Sequence, residues 1–249
     1  MSQKRDGCII LLVDPPEADK IGQELKTAFG PERAAHVNSD LLSSAYKLAK
    51  GFGDAILLLS YQKTARHPDL TWLDPEDPGF LEVKNTASEE RIRDAFRLAF
   101  FTGAKKAVLI SHLSPELKSE WLSQAFDAAD EKTVAIGSNQ DGSFYLLGLT
   151  QQNLKIFETP GFSQGKSAEN LAERVKKHKL AVFSTPETYA VASEDTLRQW
   201  MEAKEALPPL FQHPPLTEKP APQESKKHHR HYTRHQETQG QPPPEKPAS

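Results

Sequence analysis

Short apolar runs alternate along the chain with segments in which apolar residues recur every three or four positions. Residues 8–13 (CIILLV) are the first such run, and their length and β-branching predict a buried strand. Residues 17–29 follow with Ile21, Leu25, Ala28 and Phe29 on one helical face, and Gly30-Pro31 reads as the stop of that helix. Residues 34–50 repeat the helical period through Val37, Leu41, Leu42, Ala45, Leu48 and Ala49, and 55–59 (AILLL) predict the next strand. Residues 61–80, rich in Pro, Asp and Gly, predict a loop whose length is typical of functional or mobile segments.

The alternation continues to residue 206. Thr86 to Glu89 has the form of a capping box, opening a helix that turns Ile92, Ala95, Phe96, Ala99 and Phe100 inward and stops at Gly103. Residues 107–110 predict a strand. Ser114-Pro115 reads as the N-cap and first-turn pair of a helix burying Leu117, Trp121, Leu122, Ala125 and Phe126. Strands at 133–136 and 143–149, a helix at 166–178, a strand at 180–183 and a helix at 194–206 complete the pattern. Strands spaced by amphipathic helices predict a three-layer α/β domain with a mainly parallel sheet. Such sheets bind ligands beyond the carboxyl ends of their strands, which singles out loops 14–20, 60–80, 111–114, 137–142 and 184–193.

Composition divides the chain in two. Of its 249 residues, 208–249 hold 10 of the 19 prolines and 5 of the 9 histidines, while 211–249 contain five hydrophobic residues. That is too little apolar surface to offset the entropy of ordering, so 208–249 is expected to be a disordered Pro/His-rich tail on a domain spanning 1–207. The domain carries 25 Lys+Arg against 30 Asp+Glu and the tail 6 against 4, a balance that disfavours nucleic acid as a partner except through the tail. The longest apolar run has six residues, far short of a membrane span, and Asp14-Pro15-Pro16 after the first strand ends any resemblance to a secretory leader. The single cysteine, Cys8, permits neither an internal disulfide nor a cysteine-based zinc site and reads as a small core residue. A cytoplasmic protein is expected.

Three features carry candidate chemistry. Gly161 to Ser167 (GFSQGKS) approaches a phosphate-cradling loop, but Pro160 stands where the pattern needs glycine, and too few residues follow to build a nucleotide-hydrolysing domain. The plainer reading is a glycine-bearing loop that caps the next helix through Ser163 or Ser167. In the tail, His228, His229, His231 and His235 could hold a transition metal, while the interleaved Arg and Tyr could touch a polyanion. Solubilising disorder is the third reading. The most specific feature is Asp141-Gly142 ahead of Ser143 and the run FYLLGL: either a turn feeding a strand, or a place where the backbone approaches a ligand with Asp141 at its rim.

The stretch QDGSFYLLGL (140–149) resembles the (E)DGGYYLLGL segment of a bacterial glycosyltransferase-like family of nominally unknown function, akin to the molybdenum-cofactor and phospholactate guanylyltransferases. LLVDPPEADK (11–20), FGPERAA (29–35) and AVLISHLSPEL (107–117) extend the likeness over about residues 8–200. The resemblance implies a nucleotide-diphosphosugar-transferase-like fold with a nucleotide and divalent-metal site. On this chain it marks Lys20, Asp141, Gly142 and Ser143 as candidate nucleotide-binding residues and Asp141 and His112 as weak candidate metal ligands. Because both flank strands whose carboxyl ends should face one crevice, the Asp141-Gly142 turn is expected at the rim of the largest pocket, beside the end of strand 107–110.

The departures from the family fall on its charged positions. Lys20 remains in the first loop, but Gly22 and Glu24 replace a Lys and an Arg. Ser111-His112-Leu113-Ser114 stands where the family carries a metal-binding Asp, Ala190 and Ala192 stand at two late acids, and a Gly-rich segment is missing around 85–88. A hard cation needs oxygen ligands, usually carboxylates, and Mg or Mn would serve only a working transferase. One reading is therefore a transferase-like domain that has lost or weakened metal-dependent nucleotide-sugar chemistry and serves as a binding or partner module. The other is a divergent active glycosyl- or nucleotidyltransferase using a nucleotide or nucleotide-sugar. A polyanion-binding adaptor acting through the tail is a third.

Overall fold

The central strand of the sheet is the most apolar segment in the sequence. In the computed structural model, which describes residues 6–20, 22–83 and 88–205 with the backbone alone at residue 24, β1 (Gly7–Val13) lies between β2 (Ala55–Tyr61) and β4 (Lys106–Ile110), parallel to both. Its side chains alternate between two faces, and both are covered: Cys8 and Ile10 in one core cluster, Ile9, Leu11 and Val13 in the other. Burial on both faces is why the strand reads as a continuous apolar run.

Four further strands complete a seven-stranded sheet, β3 (Leu81–Glu82), β5 (Thr133–Ser138), β6 (Phe144–Thr150) and β7 (Ala181–Ser184), in the order β3-β2-β1-β4-β6-β5-β7. The β2–β3 and β5–β7 pairs are parallel, whereas β6 runs antiparallel to both β4 and β5. The sheet is thus mainly parallel, with one reversed strand. On one face lie α3 (Ser88–Phe101), a 3-10 helix (Gln151–Phe157) and α5 (Ser167–Lys177); on the other lie α2 (Pro31–Gly51) and α4 (Ser119–Ala128). A third cluster joins α1 (Gln23–Phe29), α2 and α6 (Glu194–Glu205) around Tyr189 and Val191. The layers are those of a nucleotide-diphosphosugar-transferase-like α/β domain, contained in the compact unit Met1–Pro208.

Several boundaries differ from the sequence expectation. The helix expected from 17 begins at Gln23: Pro15 and Pro16 hold the chain in turns, with the Glu17 N–H donating to the Pro15 carbonyl. Gly30, at φ +74°, does stop α1, but Pro31 opens α2 immediately, so the pair is a joint between two helices. Ser114 does not cap α4, which starts five residues later; its hydroxyl donates instead to Asn139 Oδ1 at 3.0 Å. Neither Ser163 nor Ser167 caps α5. The two-residue β3 and the 3-10 helix have too little periodicity to be seen in sequence. Thr86 of the expected capping box, and the tail with its four histidines, lie outside the described residues.

Candidate functional site

Reversing β6 has a geometric consequence. Its amino end meets the carboxyl ends of β4 and β5, so the turn at 139–143 sits on the same sheet edge as the loop after β4. The Ser111 N–H donates to the Tyr145 carbonyl at 2.8 Å, and Ser114 reaches Asn139, joining the two loops. The turn is built locally. Asp141 Oδ1 accepts from the Ser143 N–H (2.9 Å) and hydroxyl (2.6 Å), and Asn139 Nδ2 donates to Ser143 Oγ at 2.9 Å. Gly142 has φ +84°, and a Cβ there would stand 3.0 Å from Lys166 Cγ. The start of α5 is locked to this turn: the Ala168 N–H donates to the Gly142 carbonyl at 3.0 Å, and the Phe144 N–H donates to Ser167 Oγ at 3.0 Å.

Beside the turn opens a cavity of about 770 Å³, lined by Gln23 and Thr27 of α1, Asp141 and Ser143, Lys166, and the stretch Ala192 to Glu194. It exceeds the cavities of about 330, 390 and 410 Å³ elsewhere on the domain. The first of those borders Gly7, Ala55 and Lys106, at the amino ends of β1, β2 and β4, the edge where sheets of this kind do not bind. Most polar groups of the 770 Å³ cavity are already engaged. Gln23 donates to Thr27, Ser193 pairs with Thr196, Lys166 Nζ lies 2.9 Å from Glu169, and Glu194 lies 2.6 Å from Arg33. The fold therefore gathers Asp141, Gly142 and Ser143 with Lys166, which sequence reasoning had assigned only to the P-loop-like run. It does not bring Lys20 to this cavity: that side chain pairs with its neighbour Asp19 at 3.9 Å.

The middle of the same edge holds a second group that sequence reading passed over. Arg91 of α3 bonds Asp14 Oδ1 at 2.6 Å, the Val13 carbonyl at 2.7 Å, and both the hydroxyl and the carbonyl of Ser60, tying the ends of β1 and β2 together. Glu17 accepts from Thr64 and lies 2.8 Å from His67 Nδ1, which fastens the first loop to the 61–67 segment. The Thr64 hydrogen bond, followed by that of His67, holds the Glu17 carboxyl below its ordinary range. His112 lies there too, with Nε2 donating to Asn38 Oδ1 at 2.7 Å. Burial pushes its imidazole down toward the neutral form, against the nearby Asp14 carboxylate and with the help of Arg91.

The family's divalent cation does not fit the side chains present. Asp141 Oδ1 is committed to its own turn, His112 is held through Nε2 by Asn38, and position 192 on the cavity wall is alanine. Among the described residues no three His, Cys, Asp or Glu side chains converge. A magnesium or manganese ion in the cavity would have to share Asp141 with its turn and Glu194 with Arg33. The P-loop-like run is likewise spoken for. The N–H groups of Gly161 and Ser163 each donate to the Glu89 carboxylate at 2.8 Å, so a carboxylate sits where a phosphate would lie. Burial alone would raise the Glu89 carboxyl, but these donors outweigh it and hold it below the usual range.

The order of strands and the layers of helices are those of the nucleotide-diphospho-sugar-transferase-like α/β fold. Residues 47–164 match the bacterial family described as "Uncharacterized protein conserved in bacteria (DUF2064)", a span that contains QDGSFYLLGL, and the resemblance stated above holds. Among solved structures, the chain resembles a protein of Desulfovibrio desulfuricans designated a nucleotide-diphospho-sugar transferase, at 22% identity and TM-score 0.70 over 82% of this chain and 90% of that one. It also resembles a nucleotidyl transferase of Methanothermobacter thermautotrophicus, at 11% identity and TM-score 0.57 over 82% and 100%. A third is the 4-diphosphocytidyl-2C-methyl-D-erythritol synthase of Anaerococcus prevotii, at 8% identity and TM-score 0.55 over 81% and 96%. At these identities the likeness concerns the fold. No curated protein matches the chain.

Proposed function

We propose that residues 1–207 form a transferase-fold binding module that has lost metal-dependent nucleotide-sugar chemistry, followed by a disordered tail at 208–249, in a cytoplasmic protein. One observation supports this reading: the cavity beside the Asp141 turn has about 770 Å³, yet its wall has alanine at position 192, and of its two carboxylates Asp141 is engaged by its own turn and Glu194 by Arg33. Catalysis of glycosyl or nucleotidyl transfer leans on a cation that neutralises the phosphates, and a single carboxylate holds such an ion usefully only with substrate phosphates helping. A second reading, a divergent working transferase that binds a nucleotide or nucleotide-sugar, is favoured by the retained cavity and by the named activities of its structural relatives. No helix among the described residues is long and apolar enough to cross a membrane.

Titration with UDP-glucose, GDP-mannose and CTP, with and without manganese, separates the two. The binding module shows no manganese-dependent heat, whereas micromolar manganese-dependent binding establishes the transferase. Ala192→Asp adds to the cavity wall a carboxylate with no cation already paired to it and should raise manganese affinity about tenfold, roughly 1.4 kcal/mol. The same change at Ala190, 7% exposed, would bury its charge, and such a variant should lose stability rather than gain metal.

A further inference from the structure

The charges around the cavity are unevenly satisfied. Its lysine, Lys166, is neutralised by Glu169 at 2.9 Å, and the nearby Arg33 by Glu194 at 2.6 Å. Asp141 is different: Oδ1 is occupied by Ser143, while Oδ2 has no partner among the described residues and the side chain is exposed. The group of the site left free is therefore a negatively charged hydrogen-bond acceptor, Asp141 Oδ2. A phosphate brought here meets a carboxylate and no unpaired cation, whereas hydroxyl groups meet an oxygen that accepts their hydrogen bonds, as an acidic side chain does with ribose hydroxyls in dinucleotide sites. The volume of about 770 Å³ falls within the range of small-molecule sites.

We infer that this cavity binds a phosphate-free polyol, a sugar or nucleoside presenting a vicinal diol to Asp141, without a metal ion. The inference rests on the binding-module reading and names its ligand class. The chain Ser114–Asn139–Ser143–Asp141 holds the carboxylate in place, each link between 2.6 and 3.0 Å, so the acceptor is set before the ligand arrives.

The test is calorimetric titration of the full chain in EDTA with uridine, guanosine and D-glucose, then with 2′,3′-dideoxyuridine, UMP and GMP. The expected result is that a nucleoside or glucose binds, that a bound nucleoside exceeds its monophosphate by about tenfold in affinity, and that dideoxyuridine, lacking the diol, does not bind. The nucleoside and glucose arms tell the two polyol sources apart. Asp141→Asn keeps the turn acceptor and should weaken polyol binding at least fivefold with an unchanged thermal midpoint. Binding of UMP or GMP as tight as that of the nucleosides overturns the inference, as does equal binding of dideoxyuridine, indifference to Asp141→Asn, or no binding of any neutral probe at about 20 mM. Those outcomes are read without metal, so they are distinct from manganese-dependent nucleotide-sugar binding, which would sink the binding-module reading instead.

Discussion

Asp74 shows how much of the long loop depends on single side chains. It is 8% exposed, accepts from the Tyr46 hydroxyl and the Lys50 ammonium at 2.6 Å each, and pins the 68–80 segment to α2. The Lys50 hydrogen bond first, then Tyr46, lowers its carboxyl from 3.8 to about 2. The folded value lies below the unfolded one, so the stabilisation is present above pH 3.8 and drains away as pH falls through 2. Asp74→Asn should lower the urea midpoint at pH 7, and the gap from the unmodified protein should close as pH approaches 2; a gap independent of pH would assign the loss to packing. Gly142 is the second residue on which much hangs. Gly142→Ala places a side chain at φ +84° and 3.0 Å from Lys166 Cγ, and should cost about 1–3 kcal/mol, read as a lower thermal midpoint and loosened contact between the turn and α5.

At the scale of elements, the β5–β6 hairpin does the positioning. Its ladder shifts register between Gly137 and Ser138, and the irregularity re-aims the turn that follows. A Cβ on Gly137 would lie 2.5 Å from Tyr145 Cζ and 2.6 Å from Thr185 Oγ1, both packed inside. Gly137→Ala should therefore cost about 3 kcal/mol or more, a fall in thermal midpoint of roughly 6–12 °C for a body of this size; a fall under 2 °C would show that the hairpin yields. Here the sequence was informative about interiors and weak at ends. Both-face burial made β1, β2, β4, β5 and β6 legible, and the 3.6 period found α2, α3, α5 and α6. Helix starts were misread where a plausible cap had another partner: Ser114 serves Asn139, and Glu89, expected to cap its own helix, serves Gly161 and Ser163. Nothing local in a sequence reports which distant group a serine or glutamate will meet. The direction of β6 was equally invisible, because hydrophobic runs carry no sign.

For the whole molecule, the site was half legible. Asp141, Gly142 and Ser143 stood out through their turn chemistry and resemblance, but Arg91 and the Glu17–Thr64–His67 catch are assembled from two loops, the ends of β1 and β2 and a helix that only the fold brings together. The proposed tail is expected to contribute nothing to that assembly. Truncation after Leu210 should leave the thermal midpoint within about 2 °C, and a drop of ten degrees would show that the body needs it. The reversed strand also bears on how the domain comes together in time. β5 and β6 are joined by a short turn, while the parallel β1–β4 pair must close about a hundred residues of chain and every other neighbour in the sheet waits on a crossover. The local pairing carries the smallest loop entropy, so the hairpin belongs to the earliest structure. Leu147→Ala should slow refolding more than it speeds unfolding, and mutations in α1 or α6 should do the reverse. The carboxylate at the mouth of the cavity would then be in place before the walls that enclose it.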